Sequence, residues 1–318
     1  MVILSIDKTG FICSRIIRYA GMICLYVFSC LFSTANADNN FRITYIVSDD
    51  RDIYHEFIHK INYKKYSVLN IEYLSSRTID TLNTDLFITL GTKATRKVVE
   101  ISKNKNLLAL FISKANYLDI SRKFNRKFSA IFIDQPVSRQ LRLIKSAFKE
   151  KTHIGVAVSN QSRMHIPELI EYGNQLGLRI HIETLPDPDS IHHIIRKLAD
   201  NNDLILAMQD SNIYNKYTIQ NILMTTYHAN MPLIGYSRSY VQAGALMSVY
   251  TSIDDLALQT NELINKATKG MKLPSSDYCK YYSVELNHQV ANSLGISLDE
   301  ESILLKRLIK LEERYQHE

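Results

Sequence analysis

Hydroxyl, carboxylate and tyrosine side chains recur where the short apolar runs of this chain end, and they are the residues with chemistry to offer. Ser48 and Asp49 follow "RITYIV", Gly91, Thr92 and Thr95 follow "DLFITL", Ser113 follows "NLLALFI", and Ser159 and Asn160 follow "HIGVAV". Asp210, Ser211 and Tyr214 follow "DLILAMQ", while Tyr236 and Ser237 close "MPLIG". Such residues bind more readily than they react. Gly91 lets the backbone turn tightly off a strand; Thr92 and Thr95 then offer hydroxyls and the free N–H groups of a helix start to a polar or anionic group, or Thr92 simply caps the helix. Asp210 is the carboxylate placed to meet a ligand ammonium, its plain alternative being a helix cap. Arg238 is the counterpart for a ligand carboxylate, and Tyr214 and Tyr236 offer faces for a flat ligand.

Reactive chemistry has little support. There is no G-x-S-x-G elbow and no H-E-x-x-H, and Cys279 has no histidine near it in sequence. The turn at Gly91 lacks the first glycine and the Lys-Ser/Thr order of a phosphate-binding P-loop, and no G-x-G-x-x-G follows a strand. His192 and His193 are neighbours, so on a helix they point about 100° apart and form no metal clamp. No catalytic residue, metal or cofactor is therefore expected.

The elements that must position these residues alternate in a βαβα rhythm from Phe41 onward, which argues for parallel sheets with helices on both faces. Five strand-like runs fall in the first half: "RITYIVS", "SVLNIEYL", "DLFITL", "NLLALFIS" and "SAIFID". Five more fall in the second: "HIGVAVS", "LRIHIETL", "DLILAMQ", "MPLIGYS" and "GALMSVY". The halves correspond in order and spacing, which predicts two α/β lobes of the same doubly wound, Rossmann-like topology. Ligands of such lobes lie beyond the carboxyl ends of the strands, so the residues named above should line one cleft between them.

Residues 1–37 read differently. Lys8, Arg15 and Arg18 precede the apolar run "YAGMICLYVFSCLFS", and Ala35 and Ala37 supply small residues: a secretory signal cleaved after Ala37. A retained membrane anchor is the rival, but the run falls short of the roughly 20 residues that span a bilayer. Lipidation at Cys30 is disfavoured because Phe28 suits a lipobox poorly. Cleavage removes three of the four cysteines and leaves Cys279, so no internal disulfide is expected. It also removes three basic residues and one acidic, taking the formal net charge from +6 to +4. So mild a charge, on an exported chain, excludes nucleic acid as an expected partner.

Longer motifs carry a family resemblance. Asp210 to Asn215 form an Asp-x-x-x-x-Asn turn; Pro232 to Ser237 read Pro-Leu-Ile-Gly-Tyr-Ser; Tyr240 to Leu246 read Tyr-Val-Gln-Ala-Gly-Ala-Leu; and Asp134 to Leu141 read Asp-Gln-Pro-x-x-Arg-Gln-Leu. Together with "YYSVELNHQVANSLGISLDEESIL", these resemble the substrate-binding components of ABC-type importers, within the type I periplasmic binding protein fold. The resemblance implies three crossings between lobes, near residues 134–136, 248–252 and 274–282. Lobe one is then 38–133 plus 252–273, and lobe two 137–248 plus 280–318. It also brings Gln135, in the first crossing, among the ligand-binding candidates. The implied function is capture of a small molecule, such as an amino acid or an aromatic solute, by hinge closure in the periplasm. The implied partner is an ABC permease of the inner membrane; the alternative is a ligand sensor that signals to a membrane histidine kinase or cyclase. The sequence departs from the amino-acid-binding branch in one place, where Ser113 to Tyr117 (Ser-Lys-Ala-Asn-Tyr) replace a Thr-Asp-Pro turn. At the C-terminus, Ser297 and Glu300 suggest a capping box ahead of a helix whose apolar residues Ile303, Leu304, Leu308 and Leu311 pack on lobe two or form a docking face.

Overall fold

The computed structural model describes residues 41–102, 105–148 and 150–316; the leader expected over residues 1–37, with Cys30, lies outside them. All ten apolar runs form strands. The first five are β1 (Ile43–Val47), β2 (Tyr66–Asn70), β3 (Leu86–Leu90), β4 (Leu107–Ile112) and β5 (Ser129–Phe132). With β11 (Asp277–Tyr278) they make a parallel six-stranded sheet of order β11-β5-β4-β3-β1-β2. β1 and β3 are buried from end to end, as strands covered on both faces must be. Their threonine hydroxyls are satisfied inside: Thr44 bonds Ser67 and Thr84, and Thr89 bonds Thr95. β2 is shorter than its apolar run because the Asn70 side chain accepts from the Glu72 N–H and folds Ile71–Tyr73 into a 3-10 turn. Helices α1 (Asp52–His59), α2 (Ser76–Thr81), α3 (Thr92–Ile101) and α4 (Lys114–Lys123) follow β1 to β4 in turn.

The second sheet repeats this plan except that its last strand, β12, runs antiparallel; its order is β12-β10-β9-β8-β6-β7, built from β6 (His153–Val158), β7 (Arg179–Thr184), β8 (Leu204–Leu206), β9 (Leu233–Ile234), β10 (Met247–Tyr250) and β12 (Ser283–Leu286). Its two faces are read off by alternation. Ile154, Val156, Val158, Leu204 and Leu206 pack with Leu141 and Ile144 of α5 (Val137–Ala147). The intervening Ala157, Ile205 and Ala207 pack instead with Ile195 and Leu198, on the helix Ile191–Asn201.

The chain passes between the sheets three times. It leaves β5 through Asp134, Gln135 and Pro136 into α5. It returns from β10 through Thr251 and Ser252 into the long helix Ile253–Thr268, which packs on α1, and it crosses again from β11 to β12 through Cys279. That long helix starts with a capping box, the Ser252 hydroxyl accepting from the Asp255 N–H while Asp255 accepts from the Ser252 N–H. The capping box expected at Ser297 does not form. Ile296 and Leu298 pack against the second core, so the last helix (Glu301–Gln316) begins only after Glu300, and it buries Leu304 and Leu308 against that core while Ile303 stays exposed. Among the described residues no helix is long and apolar enough to cross a membrane.

Candidate functional site

A cavity of about 90 Å³ opens where the carboxyl ends of both sheets approach the first crossing. From the first sheet's side come Ser113, Ala115 and Asn116 at the start of α4; the crossing gives Asp134 and Gln135, and α5 gives Gln140. Gln161 and His165 follow β6, Met208 and Gln209 follow β8, and Tyr236 follows β9. A wider groove of about 420 Å³ shares Asp134, Gln209 and Tyr236 with it and is walled by Ile53, Ile133, Tyr250 and Ile253. A larger recess of about 830 Å³ lies elsewhere, between the end of α5 and the last helix, and no strand end faces it.

Of the residues expected at the site, Ser113, Gln135 and Tyr236 line the small cavity, and Tyr236 and Ser237 line the groove. Ser113 also caps α4, its hydroxyl accepting from Asn116 N. Thr92 stands one residue back, its hydroxyl accepting from the Asn116 amide at 3.3 Å. Ser211 is exposed but donates twice to the Gln161 side chain, holding a cavity residue in place. Asn160 is exposed, and Asp49 is half-buried and pairs with Arg51 at 2.6 Å.

Four expectations fail on burial. Asp210 is fully buried and its carboxylate accepts from Ser159 N, Ser162 Oγ and Asn212 N at 2.5–3.0 Å, so it staples the β6 and β8 turns and is not available to an ammonium. Thr95 is fully buried, donating to the Gly91 carbonyl. Ser48 is spent on Ala94 N. Tyr214 fails in the same way: it is buried and lines neither the cavity nor the groove, its ring lies 6.5 Å from Tyr236, and burial raises its phenol well above the ordinary value. Cys279 is likewise buried, its thiol pushed up to about 11, which makes it a poor nucleophile.

The Gly91 turn answers to packing. Its φ is +95°, and a Cβ there would meet the Tyr54 hydroxyl and lie 2.6 Å from Ser48 Oγ. Gly91→Ala is expected to cost about 1.5 kcal/mol from the backbone conformation alone. Urea denaturation measures it, and an unchanged midpoint refutes this account of the turn.

What sequence reasoning missed is the amide collar and its carboxylate. Asn116, Gln140, Gln161 and Gln209 join Gln135 around Asp134, whose Oδ1 accepts from Lys114 N at 2.9 Å. Burial pushes the Asp134 carboxyl up to about 6, while its two backbone hydrogen bonds and the nearby His165 and Lys114 act the other way. Lys114 Nζ and His165 Nδ1 both turn to Glu168, each at 3.4 Å. Gln140 is 4 % exposed and its Oε1 finds no donor among the described residues.

Behind the cavity Arg139 ties the first and third crossings, and Gln135 links them to the second. Arg139 Nη1 donates to Gln135 Oε1 at 2.7 Å and to the Cys279 carbonyl at 3.0 Å, and Gln135 Nε2 donates to Thr251 Oγ1 at 2.7 Å. Arg139 also pairs with Glu312 at 2.8 Å and stacks over the Tyr282 ring.

A model of the family described as ABC transporter substrate binding protein matches residues 56–308. No curated protein matches the chain significantly. Among solved structures, the ligand-free, open form of a substrate-binding protein with adhesive properties from Clostridium difficile is 14% identical, with a TM-score of 0.67 over 82% of this chain and 96% of its own. An ABC domain in complex with L-Trp from Streptococcus pneumonia is 19% identical, TM-score 0.57, over 84% of this chain and 98% of that one. A conserved domain protein from Vibrio cholerae is 15% identical at the same TM-score and coverage. At these identities the likeness is one of fold: two mostly parallel α/β sheets with flanking helices, the type I periplasmic binding protein architecture.

Proposed function

The chain belongs to the ABC transporter substrate-binding protein family, and from that membership we propose that it is the periplasmic receptor of an importer, exported by its leader and holding a small solute between its two sheets. The observation that carries this reading is the polar cavity at the first crossing, walled by strand ends of both sheets and backed by the Arg139 tie. Residues 38–133 with 252–273 act as one lobe and 137–248 with 280–318 as the other, rotating about the three crossings. Ser113, Gln135, Tyr236 and Ser237 contact the solute, with Thr92 and Ser211 behind them. The solute shifts the open–closed balance by its stronger binding to the closed form, and a permease reads that form. Binding of this kind asks for no chemistry from the chain.

Two measurements test the proposal together. Thermal denaturation of the chain from Asp38 onward, against amines, amino acids, sugars and carboxylates, is expected to show a raised Tm with one class, by mass action on the folded form. Small-angle scattering with that solute is expected to show a smaller radius of gyration. A solute that raises Tm without contracting the protein contradicts closure, and unchanged uptake of it by cells lacking the gene contradicts the importer role.

A further inference from the structure

Resting on that reading of the cleft, we infer that the solute is an amine with an apolar or aromatic body and no carboxylate of its own, its ammonium meeting Asp134 and Gln140 in the small cavity. The first support is an unpaired negative charge. Among the described residues no ion pair reaches Asp134. Every charged or titratable group around it is otherwise engaged or carries no cation: Lys114 and His165 face Glu168, and the Tyr278 phenol is raised by burial. With a carboxyl near 6, Asp134 is largely ionised at neutral pH, in a compartment of about 90 Å³ that suits a head group better than a whole solute. The second is an unpaired acceptor, Gln140 Oε1, on a nearly buried side chain that lines the same compartment. Carboxylate and amide oxygen together ask for N–H donors bearing positive charge.

A ligand carboxylate meets no uncommitted cation there among the described residues, since Lys114 and His165 both face Glu168. Two of the N–H groups at the start of α4, which could hold such a carboxylate, are already used: Lys114 N donates to Asp134 itself and Asn116 N to Ser113. Arg238, expected from the sequence to take that role, is engaged by Glu285 at 3.2 Å on the groove's rim with 59% of its side chain exposed. The body of the solute is placed by the adjoining groove, where Ile53, Ile133, Tyr250 and Ile253 supply apolar wall continuous with Tyr236.

Calorimetric titration at pH 7.5 of the chain from Asp38 with phenethylamine, phenylalanine, 3-phenylpropionate and 2-phenylethanol varies the head group on one body. Phenethylamine is expected to bind at least tenfold more tightly than the other three. Asp134→Asn is expected to weaken it tenfold or more, with the surface change Asp200→Asn leaving it unaltered. Lowering the pH from 7.5 to 5 should weaken it about tenfold in the parent and not in Asp134→Asn. Tighter binding of phenylalanine or phenylpropionate overturns the inference, as does an amine affinity indifferent to Asp134→Asn. If a sugar binds and contracts the protein while no amine does, the amine falls and the receptor reading stands; if no solute of any class binds, both fall.

Discussion

Replacing Arg139 with alanine is expected to lower the free energy of unfolding by about 3 kcal/mol, the low end for removing one member of a buried ion pair. Arg139 is 8 % exposed, so water has little access to take its place. Without the guanidinium, Glu312 keeps only the Tyr282 hydroxyl, and the Gln135 oxygen and Cys279 carbonyl lose the one donor that reached both. Part of the loss is packing, because the guanidinium centre lies 3.9 Å from the Tyr282 ring centroid. Arg139→Lys keeps the charge but not the fork that spans two chain crossings, so it should recover at most half of the deficit. Urea denaturation followed by circular dichroism measures all of this. A loss under 1 kcal/mol for Arg139→Ala would mean that the crossings are held by strand packing alone. The same variant bears on function, since Gln135 stands between Arg139 and the cavity.

How much of this was legible in the sequence depends on the distance over which each feature is decided. Strand runs are local: the inner ones were readable because a parallel strand covered on both faces is written as one continuous apolar stretch, and the edge strands β2 and β7, which stay largely open to water, from sparser apolar residues. The two-residue β11 left no such trace; Asp277 and Tyr278 become a strand only because the edge of β5 is there to pair with them. The site was harder for the same reason. Asp134 and Asp210 both follow apolar strands, and nothing near either in sequence says which carboxylate is already spent. Asp210 is spent because Ser159 and Ser162, about 50 residues earlier, fold over it. Asp134 lies inside the Asp-Gln-Pro segment, whose place at a crossing says nothing of the cavity it edges. Gln140 reads as an ordinary polar position on an amphipathic helix. Its burial comes from α5 being packed on nearly every side, by the second sheet and by helices from both later segments of the chain.

Asp134→Asn is expected to make the unliganded protein more stable at pH 8, by about 1.5 kcal/mol, and to change its stability little at pH 4. The carboxyl is pushed from its ordinary range near 3.9 up to about 6 in the folded chain, so folding at high pH holds a charge that the unfolded chain solvates better. With the folded value the higher of the two, the penalty is fully present above about pH 6. It shrinks as pH falls through that value and is gone below about pH 4, where both states are protonated. The full linkage term is about 2.9 kcal/mol; the partial opening of the site to water is taken to halve it. Asparagine keeps an oxygen for the Lys114 N–H, so the comparison isolates the charge. Urea midpoints of parent and variant at pH 4 and pH 8 measure the difference, and a variant that is less stable at pH 8 would show that the backbone donors, not desolvation, govern this carboxylate. The gain in stability should come with a loss of amine affinity. A cation arriving at Asp134 relieves in the complex the same unfavourable charge that weakens the empty protein, so the part of the first crossing that destabilises the receptor is the part that gives it a reason to bind.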